Sequence, residues 1–285
     1  MRQDSYAVSE LCELFEVPQP ALSHHLKVLH QAGLVARRRE GNSIFYRRAT
    51  SLPAAAALIA HLDEEALPGG LARRLDGLHH QRNQRSADFF SANAAEITAQ
   101  QAEICEPGTY AEVLLEQLDA AFSAGLDHGH VLEVGPGSGT LLMELAGRFE
   151  RATGVDNSSG MLAVARAGAG RGSGVSLRKA DFLELPARRH YDAIVAAMVI
   201  HHQASPARFF DHARRLLKAS GTLLVAELCL HDQEWAKSAC GDQWLGFEPD
   251  ELLGWAMAAG FTPSDSQYLA QKNGFRVQVH RFDTL

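Results

Sequence analysis

The chain has 285 residues, 46% of them apolar and 21% charged, with a formal net charge of −7. That length is too great for one small domain and comfortable for two, and it can bury a sizeable core without covalent staples. No apolar run approaches the ~20 residues that span a bilayer. The opening Met1-Arg-Gln-Asp-Ser carries no apolar signal segment, and the four cysteines, Cys12, Cys105, Cys229 and Cys240, are scattered. A cytoplasmic protein without membrane attachment is expected. The charge is uneven. The first 50 residues hold seven Lys/Arg against five Asp/Glu, the excess lying in Arg37, Arg38, Arg39, Arg47 and Arg48, while the remainder is acidic. One basic corner on an acidic chain points to a local polyanion contact.

In chain order, Val8, Leu11, Cys12 and Phe15 recur at helical spacing. Glu16-Val17-Pro18-Gln19-Pro20 breaks that helix and makes a tight turn. A second helix is predicted from about Gln19 to Ala32. Leu22, Leu26 and Leu29 form its apolar stripe, with Gln19, Ser23, His24 and Lys27 off it and Gly33 ending it. Two β-prone runs follow, Leu34–Arg39 and Ser43–Arg48, joined by Glu40-Gly41-Asn42 as a hairpin. Two helices, a sharp turn and a basic hairpin read as a winged helix-turn-helix. Its second helix can enter the major groove, and Arg37, Arg38 and Arg39 can meet phosphates or the minor groove.

Pro53 to Ala66 is alanine-rich and reads as a helix, and Leu67-Pro68-Gly69-Gly70 reads as a linker. Residues 71–104 predict one or two polar helices with a narrow stripe at Leu71, Leu75 and Leu78, and Phe89-Phe90 adds aromatic bulk. These residues read equally as a spacer with a helical cap or as a lid whose aromatic pair closes over a substrate. Tyr110–Phe122 is a further amphipathic helix.

His130-Val-Leu-Glu-Val134 is a buried strand that runs into Gly135-Pro136-Gly137-Ser138-Gly139 and a helix, Thr140–Arg148. The next strand, Ala152–Val155, ends in Asp156. A glycine turn opening a helix, with an acid ending strand two, marks a nucleoside-binding α/β unit. The glycines let a ligand approach the backbone, and the acid can accept ribose hydroxyls. The loop is Glu-x-Gly-x-Gly-x-Gly rather than Gly-x-Gly-x-x-Gly. A third strand, Ser176–Ala180, ends in Asp181-Phe182, an acid for an adenine amino group with an apolar neighbour. A terminal hairpin, Gln267–Gln271 and Phe275–Phe282 around Lys272-Asn273-Gly274, adds an antiparallel last strand.

The stretch from Ser9 to Tyr46 (Ser-Glu-Leu-Cys-Glu-Leu-Phe, then Gln-Pro-Ala-Leu-Ser-His-His-Leu-Lys-Val-Leu-His-Gln-Ala-Gly-Leu-Val, then Arg-Arg-Arg-Glu-Gly-Asn-Ser-Ile-Phe-Tyr) resembles the ArsR-type repressors over roughly residues 5–50. The resemblance implies binding of double-stranded DNA through residues 1–50, usually as a homodimer. Two features depart from it. The family's metal sensors pair cysteines in the first of these helices, where this chain has only Cys12. The family's preceding, dimerising helices are also not seen after Met1, so either the start lies upstream or dimerisation is built differently.

The remainder resembles class I S-adenosylmethionine-dependent methyltransferases. The matching stretches are Val131-Leu-Glu-Val-Gly-Pro-Gly-Ser-Gly-Thr, Gly154-Val-Asp156, Ala180-Asp181-Phe182, Tyr191–His202, Ala213–Lys218 and Gly221–Glu227. The resemblance implies a Rossmann-like α/β fold with a seven-stranded sheet whose last strand is antiparallel. S-adenosylmethionine is the implied cofactor and S-adenosylhomocysteine the product. Glu133, Gly135, Pro136, Gly137, Gly139, Asp156, Asn157, Met161, Asp181, Phe182 and Met198 are its implied cofactor residues. The expected organisation is a winged helix over residues 1–66, a linker and helical cap over 67–106, and a methyltransferase domain over 107–285.

Ligands of doubly wound sheets sit at the carboxyl ends of the strands. There His201, His202 and Glu227 are candidates for a base or polar anchor facing a small-molecule methyl acceptor. Cys229-Leu-His231, with Cys240 soon after, puts sulfur and imidazole near one another, but zinc-ribbon spacing is absent and no metal is expected. Trp235, Trp244, Phe247 and Trp255 are expected to pack the helices after strand five. Two functions remain open from sequence: methyl transfer beside a DNA-binding regulator module, or a regulator without turnover that senses S-adenosylmethionine or S-adenosylhomocysteine. A third, methylation of a metalloid held by Cys105, Cys229 and Cys240, is weaker.

Overall fold

A computed structural model describes residues 4–41, 43–49, 61–62, 65–169 and 174–284. The chain divides into two compact units, Met1–Asn83 and Gln84–Leu285. The helix expected over Pro53–Ala66 falls largely outside the described residues, as does Asn42 of the hairpin turn.

In the first unit a two-residue strand β1 (Tyr6–Ala7) leads into α1 (Val8–Phe15), then α2 (Gln19–Gln31) and the hairpin β2 (Val35–Glu40) and β3 (Ser43–Arg48). The turn between the helices is made by Glu16 in the left-handed conformation (φ 56°), its N–H bonded to the Cys12 carbonyl. Pro18 then sets extended backbone before α2. Strand order is β1-β3-β2, all antiparallel. The sequence offers no periodicity from which a two-residue β1 could be read. Leu11, Leu14, Leu22, Leu26, Val35, Tyr46 and Tyr6 form the core.

Residues 67–106 are divided between the two units. Gly69–Ile104, labelled α3, is two helical stretches joined across a kink at Asn93, whose backbone is not helical (φ −118°, ψ 15°), and Gly69 and Gly70, expected as linker, are its first residues. Leu71, Leu75 and Leu78 pack against the core of the first unit. Arg82 donates to the Glu10 carboxylate at 2.6 Å, and Arg74 donates to the Leu14 carbonyl at 2.8 Å. Phe90 and Ile97, beyond the boundary, pack on Met161 within the second unit.

The second unit continues with α4 (Pro107–Ser123) and then alternates: β4 (His130–Val134), α5 (Thr140–Ala146), β5 (Arg151–Asp156), α6 (Ser159–Ala169), β6 (Val175–Lys179), β7 (Tyr191–Ala197), α7 (Pro206–Leu216) and β8 (Leu217–Leu228). After α8 (Trp235–Ala239) and α9 (Pro249–Ala258) it closes with the hairpin β9 (Phe261–Ala270) and β10 (Arg276–Thr284). The sheet order is β6-β5-β4-β7-β8-β10-β9. Pairs among β4 to β8 are parallel, and β10 is antiparallel to both neighbours. The central strands β4 and β7 are buried almost throughout, as expected where a parallel sheet is covered on both faces. The strand order reverses at β4 and β7, so their carboxyl ends open the crevice where such sheets bind ligands.

Candidate functional site

Between β4 and α5 the chain turns through Gly135, Gly137 and Gly139, all with positive φ (65°, 52° and 81°). A side chain at Gly139 would collide with the Ala165 carbonyl, whereas the space over Gly137 is open. The positive φ there favours glycine, whose bare backbone a ligand can approach. Glu133, the last-but-one residue of β4, is buried, and its Oε2 has no hydrogen-bond partner. Burial raises its carboxyl well above the usual range.

Asp156 ends β5. Its Oδ1 accepts the Ser158 N–H at 2.7 Å. Burial pushes its carboxyl up to about 6 against the opposing effect of that bond. Asn157 is half-buried beside it, and Met161 is buried on α6. Asp181, beyond β6, caps the short turn Phe182–Glu184 by accepting the Leu183 N–H at 2.9 Å. Phe182 turns into the protein, its ring 4.7 Å from that of Phe209 and 5.2 Å from that of His212. Met198 leaves β7 with a left-handed backbone (φ 54°), pinned by its N–H to the Ala226 carbonyl at 2.8 Å. A non-glycine residue there is strained unless its surroundings hold it. Glu133, Pro136 and the glycines, Asp156 and Asp181 therefore stand at the ends of three neighbouring strands.

On the other side of the crevice, His201 and His202 lie in the turn Ile200–His202 after β7, and Glu227 lies near the end of β8. Glu227 is fully buried and fully engaged. It accepts the N–H groups of Ile200, His201 and Leu228, and His201 Nδ1 at 2.5 Å. It therefore fixes the turn. Against the cost of burial, Glu227 and Asp242 hold His201 protonated, raising it to about 9. Burial, reinforced by the adjacent His201, keeps His202 neutral.

Sequence reasoning missed Asp242, which has no motif around it but lies 3.6 Å from His201 Nε2. Tyr110 on α4 is held protonated chiefly by burial. The aromatic pair on α3 reaches this side. The Phe90 ring stands 4.6 Å from that of His202, and Phe89 fills the space beside Gly241.

No cysteine belongs to a compact three-donor group among the described residues. Burial raises Cys105 to about 11, Cys240 to about 12, and Cys229 as well. Among the described residues, the one group of His, Cys, Asp and Glu donors compact enough for a metal is His201, His202 and Asp242, which excludes Cys229, His231 and Cys240. Trp244, Phe247 and Trp255 are buried as expected, but Trp235 is 38% exposed.

In the first unit Gln19, His24 and Lys27 are exposed on α2 and Ser23 is half-buried, opposite buried Leu22 and Leu26. Arg37 and Arg39 point to solvent from β2. Arg38 does not. It faces the other side of the strand and pairs with buried Glu40.

Fold and site together define a methyltransferase-type α/β domain preceded by a winged helix-turn-helix. Comparison with known proteins agrees. The methyltransferase-domain profile matches residues 132–225, and the profile for bacterial regulatory proteins of the arsR family matches residues 1–37. The chain is 39% identical over 69 residues to the HTH-type transcriptional repressor SmtB of Mycobacterium tuberculosis, covering 24% of this chain and 51% of the repressor. It is 30% identical over 150 residues to the ubiquinone biosynthesis O-methyltransferase of Sodalis glossinidius, covering 47% of this chain and 60% of that enzyme. The chain thus spans about half the length of the curated relatives it matches. Magnesium protoporphyrin IX methyltransferase (ChlM) of Synechocystis, solved with SAH, superposes with a TM-score of 0.57 at 14% identity, over 72% of this chain and all of that one. The chain carries an arsR-type regulator segment and a methyltransferase domain.

Proposed function

We propose that the chain is an S-adenosylmethionine-dependent methyltransferase acting on an oxygen of a small molecule, with a DNA-binding winged helix at its N-terminal end. The observation that supports this most is the grouping of Glu133, the Gly135–Gly139 turn, Asp156 and Asp181 at the ends of β4, β5 and β6. The residues fit the cofactor. Glu133 Oε2 is a buried acceptor with no donor of its own, which suits an ammonium group, and Gly137 leaves its backbone open. Asp156 would accept ribose hydroxyls and Asp181 the adenine amino group. Pro136, Gly139, Asn157, Met161 and Met198 would complete the wall. Phe182 would brace the floor through Phe209, because its ring is already packed.

S-adenosylmethionine, when bound, supplies a methyl group activated on sulfur. The protein's part is to place the acceptor in line with it and to keep water out. Phe89 and Phe90 cover the acceptor side. Glu227 acts as a positioning residue that holds the 200–202 turn, and neutral His202 is the group able to take a hydrogen bond from an acceptor hydroxyl. An oxygen acceptor is favoured because the matched relatives include ubiquinone biosynthesis and malonyl-[acyl-carrier protein] O-methyltransferases. DNA binding rests on the arsR-type segment and on the exposure of Gln19, His24, Lys27, Arg37 and Arg39, with a homodimer as the form that resemblance implies.

The test is to incubate the full chain with methyl-labelled S-adenosylmethionine and panels of phenols and carboxylic acids. Label transfer to an oxygen is expected. Cofactor binding without transfer to any acceptor would overturn the enzymatic part and leave a sensor.

A further inference from the structure

His201, His202 and Asp242 are drawn from two separate segments, the turn after β7 and the loop after α8. Their side chains are 3%, 7% and 0% exposed. One donor atom from each lies within 4.8 Å of the other two. Asp242 Oδ1 is 3.6 Å from His201 Nε2 and 3.8 Å from His202 Nδ1. Two ligands of one tetrahedral ion, each about 2.1 Å from it, stand about 3.4 Å apart. His201 and Asp242 are thus spaced as ligands sharing a centre, with His202 grouped beside them, and the three stand too widely to hydrogen-bond one another well.

The groups behind them support the same reading. His201 Nδ1 is bonded to the Glu227 carboxylate, which is itself locked by three backbone N–H groups. That bond fixes the ring and leaves Nε2 facing Asp242, the carboxylate–histidine arrangement that orients ligands in metal sites. His202 Nδ1 faces the Gly241 carbonyl at 3.2 Å, and its Nε2 is buried with no hydrogen-bond partner. Charge points the same way. The carboxylates of Glu227 and Asp242 are both fully buried around one imidazole pair. A divalent cation placed there would face both of these buried carboxyl groups.

We propose that His201, His202 and Asp242 bind one divalent transition-metal ion, with Glu227 as the outer carboxylate that orients His201. Two imidazoles and one carboxylate, without thiolate, select zinc, iron(II), cobalt or nickel over magnesium and calcium. Three protein ligands leave a position for an oxygen ligand. The site lies beside Phe90 at the carboxyl ends of β7 and β8. If the methyltransferase reading holds, that open position lies on the acceptor side, and the ion, in place of the His202 ring nitrogen that it would occupy, would meet the acceptor hydroxyl and lower its pKa. The metal site itself does not depend on that reading.

The test titrates the metal-stripped full chain with cobalt(II), and separately measures zinc content after loading and dialysis. The protein is compared with its Asp242→Asn and His202→Gln variants, each checked for folding by circular dichroism. Wild type should gain visible cobalt d–d absorption without a thiolate charge-transfer band. Each variant should hold one zinc fewer than wild type. Folded wild type that takes up no ion, or variants that keep the full zinc content, would overturn the site. Calorimetry of S-adenosylmethionine on the same samples separates the two failures: intact cofactor binding with no metal removes this site and leaves the methyltransferase reading standing.

Discussion

Two acids in the crevice differ in what their surroundings ask of them. Glu133 is buried without a donor, while Asp156 is half-buried, holds one backbone N–H and titrates at about 6. Asp156 has to be ionised to accept two ribose hydroxyls well. S-adenosylmethionine affinity should therefore rise from pH 5 to pH 7, and Asp156→Asn should flatten that rise. Asp156→Ala should weaken binding by about 1–3 kcal/mol, the usual cost of leaving polar groups unpaired. Calorimetry across that pH range checks both, and a wild-type affinity independent of pH would remove Asp156 from the site. At this scale the sequence was informative where spacing encodes chemistry. The glycines and the acids at strand ends stand where they were read. It was silent on Asp242 and on the direction of the Phe182 ring, because neither depends on local spacing. Both are set by which distant segment packs alongside.

At the scale of elements, the hairpin β2–β3 shows what strand alternation does to a run of like charges. Arg37 and Arg39 share one face and Arg38 the other, so the triplet is not one basic patch. Changing Arg37 and Arg39 together to alanine should lower DNA affinity and reduce the salt slope by roughly 0.9 for each phosphate that is no longer neutralised. Arg38→Ala should leave that slope near the parent's and instead lower the melting temperature, because it removes a partner of buried Glu40. Fluorescence anisotropy at several salt concentrations, beside a thermal melt, distinguishes the two. The alternation could have been applied to the sequence directly. The partner of Arg38 could not, since Glu40 looks like a turn residue until the strand is seen to include it. Helix α3 is the larger departure. Gly69-Gly70 read as a linker and residues 71–104 as one or two polar helices, whereas the helix already starts at Gly69, with Leu71, Leu75 and Leu78 serving the first unit and Phe90 and Ile97 the second. A helix serving two cores has two weak amphipathic faces and no break at the boundary.

For the molecule as a whole, two buried histidines predict acid sensitivity in the second unit. Burial holds His130 and His280 down to about 4. Both are neutral in the fold and take up protons more readily when unfolded. Their contribution is therefore full above pH 6.5 and is lost as pH falls toward 4. The melting temperature should drop across that window, and His280→Asn should make the drop shallower. An equal drop in the variant would assign the acid sensitivity elsewhere. The seven-stranded sheet with its antiparallel β10 is what the methyltransferase resemblance implied, and the Asn273-Gly274 turn marked its closing hairpin. No helix among the described residues is long and apolar enough to cross a membrane.

The measurement that bears most directly on this account is calorimetric titration of the purified full chain with S-adenosylmethionine and, separately, S-adenosylhomocysteine. Saturable binding of both at one site per chain, weakened by Asp156→Ala, is the predicted result. A folded sample that binds neither would contradict the assignment of Glu133, the glycine turn, Asp156 and Asp181 as a cofactor site, and the methyltransferase proposal would fall with it.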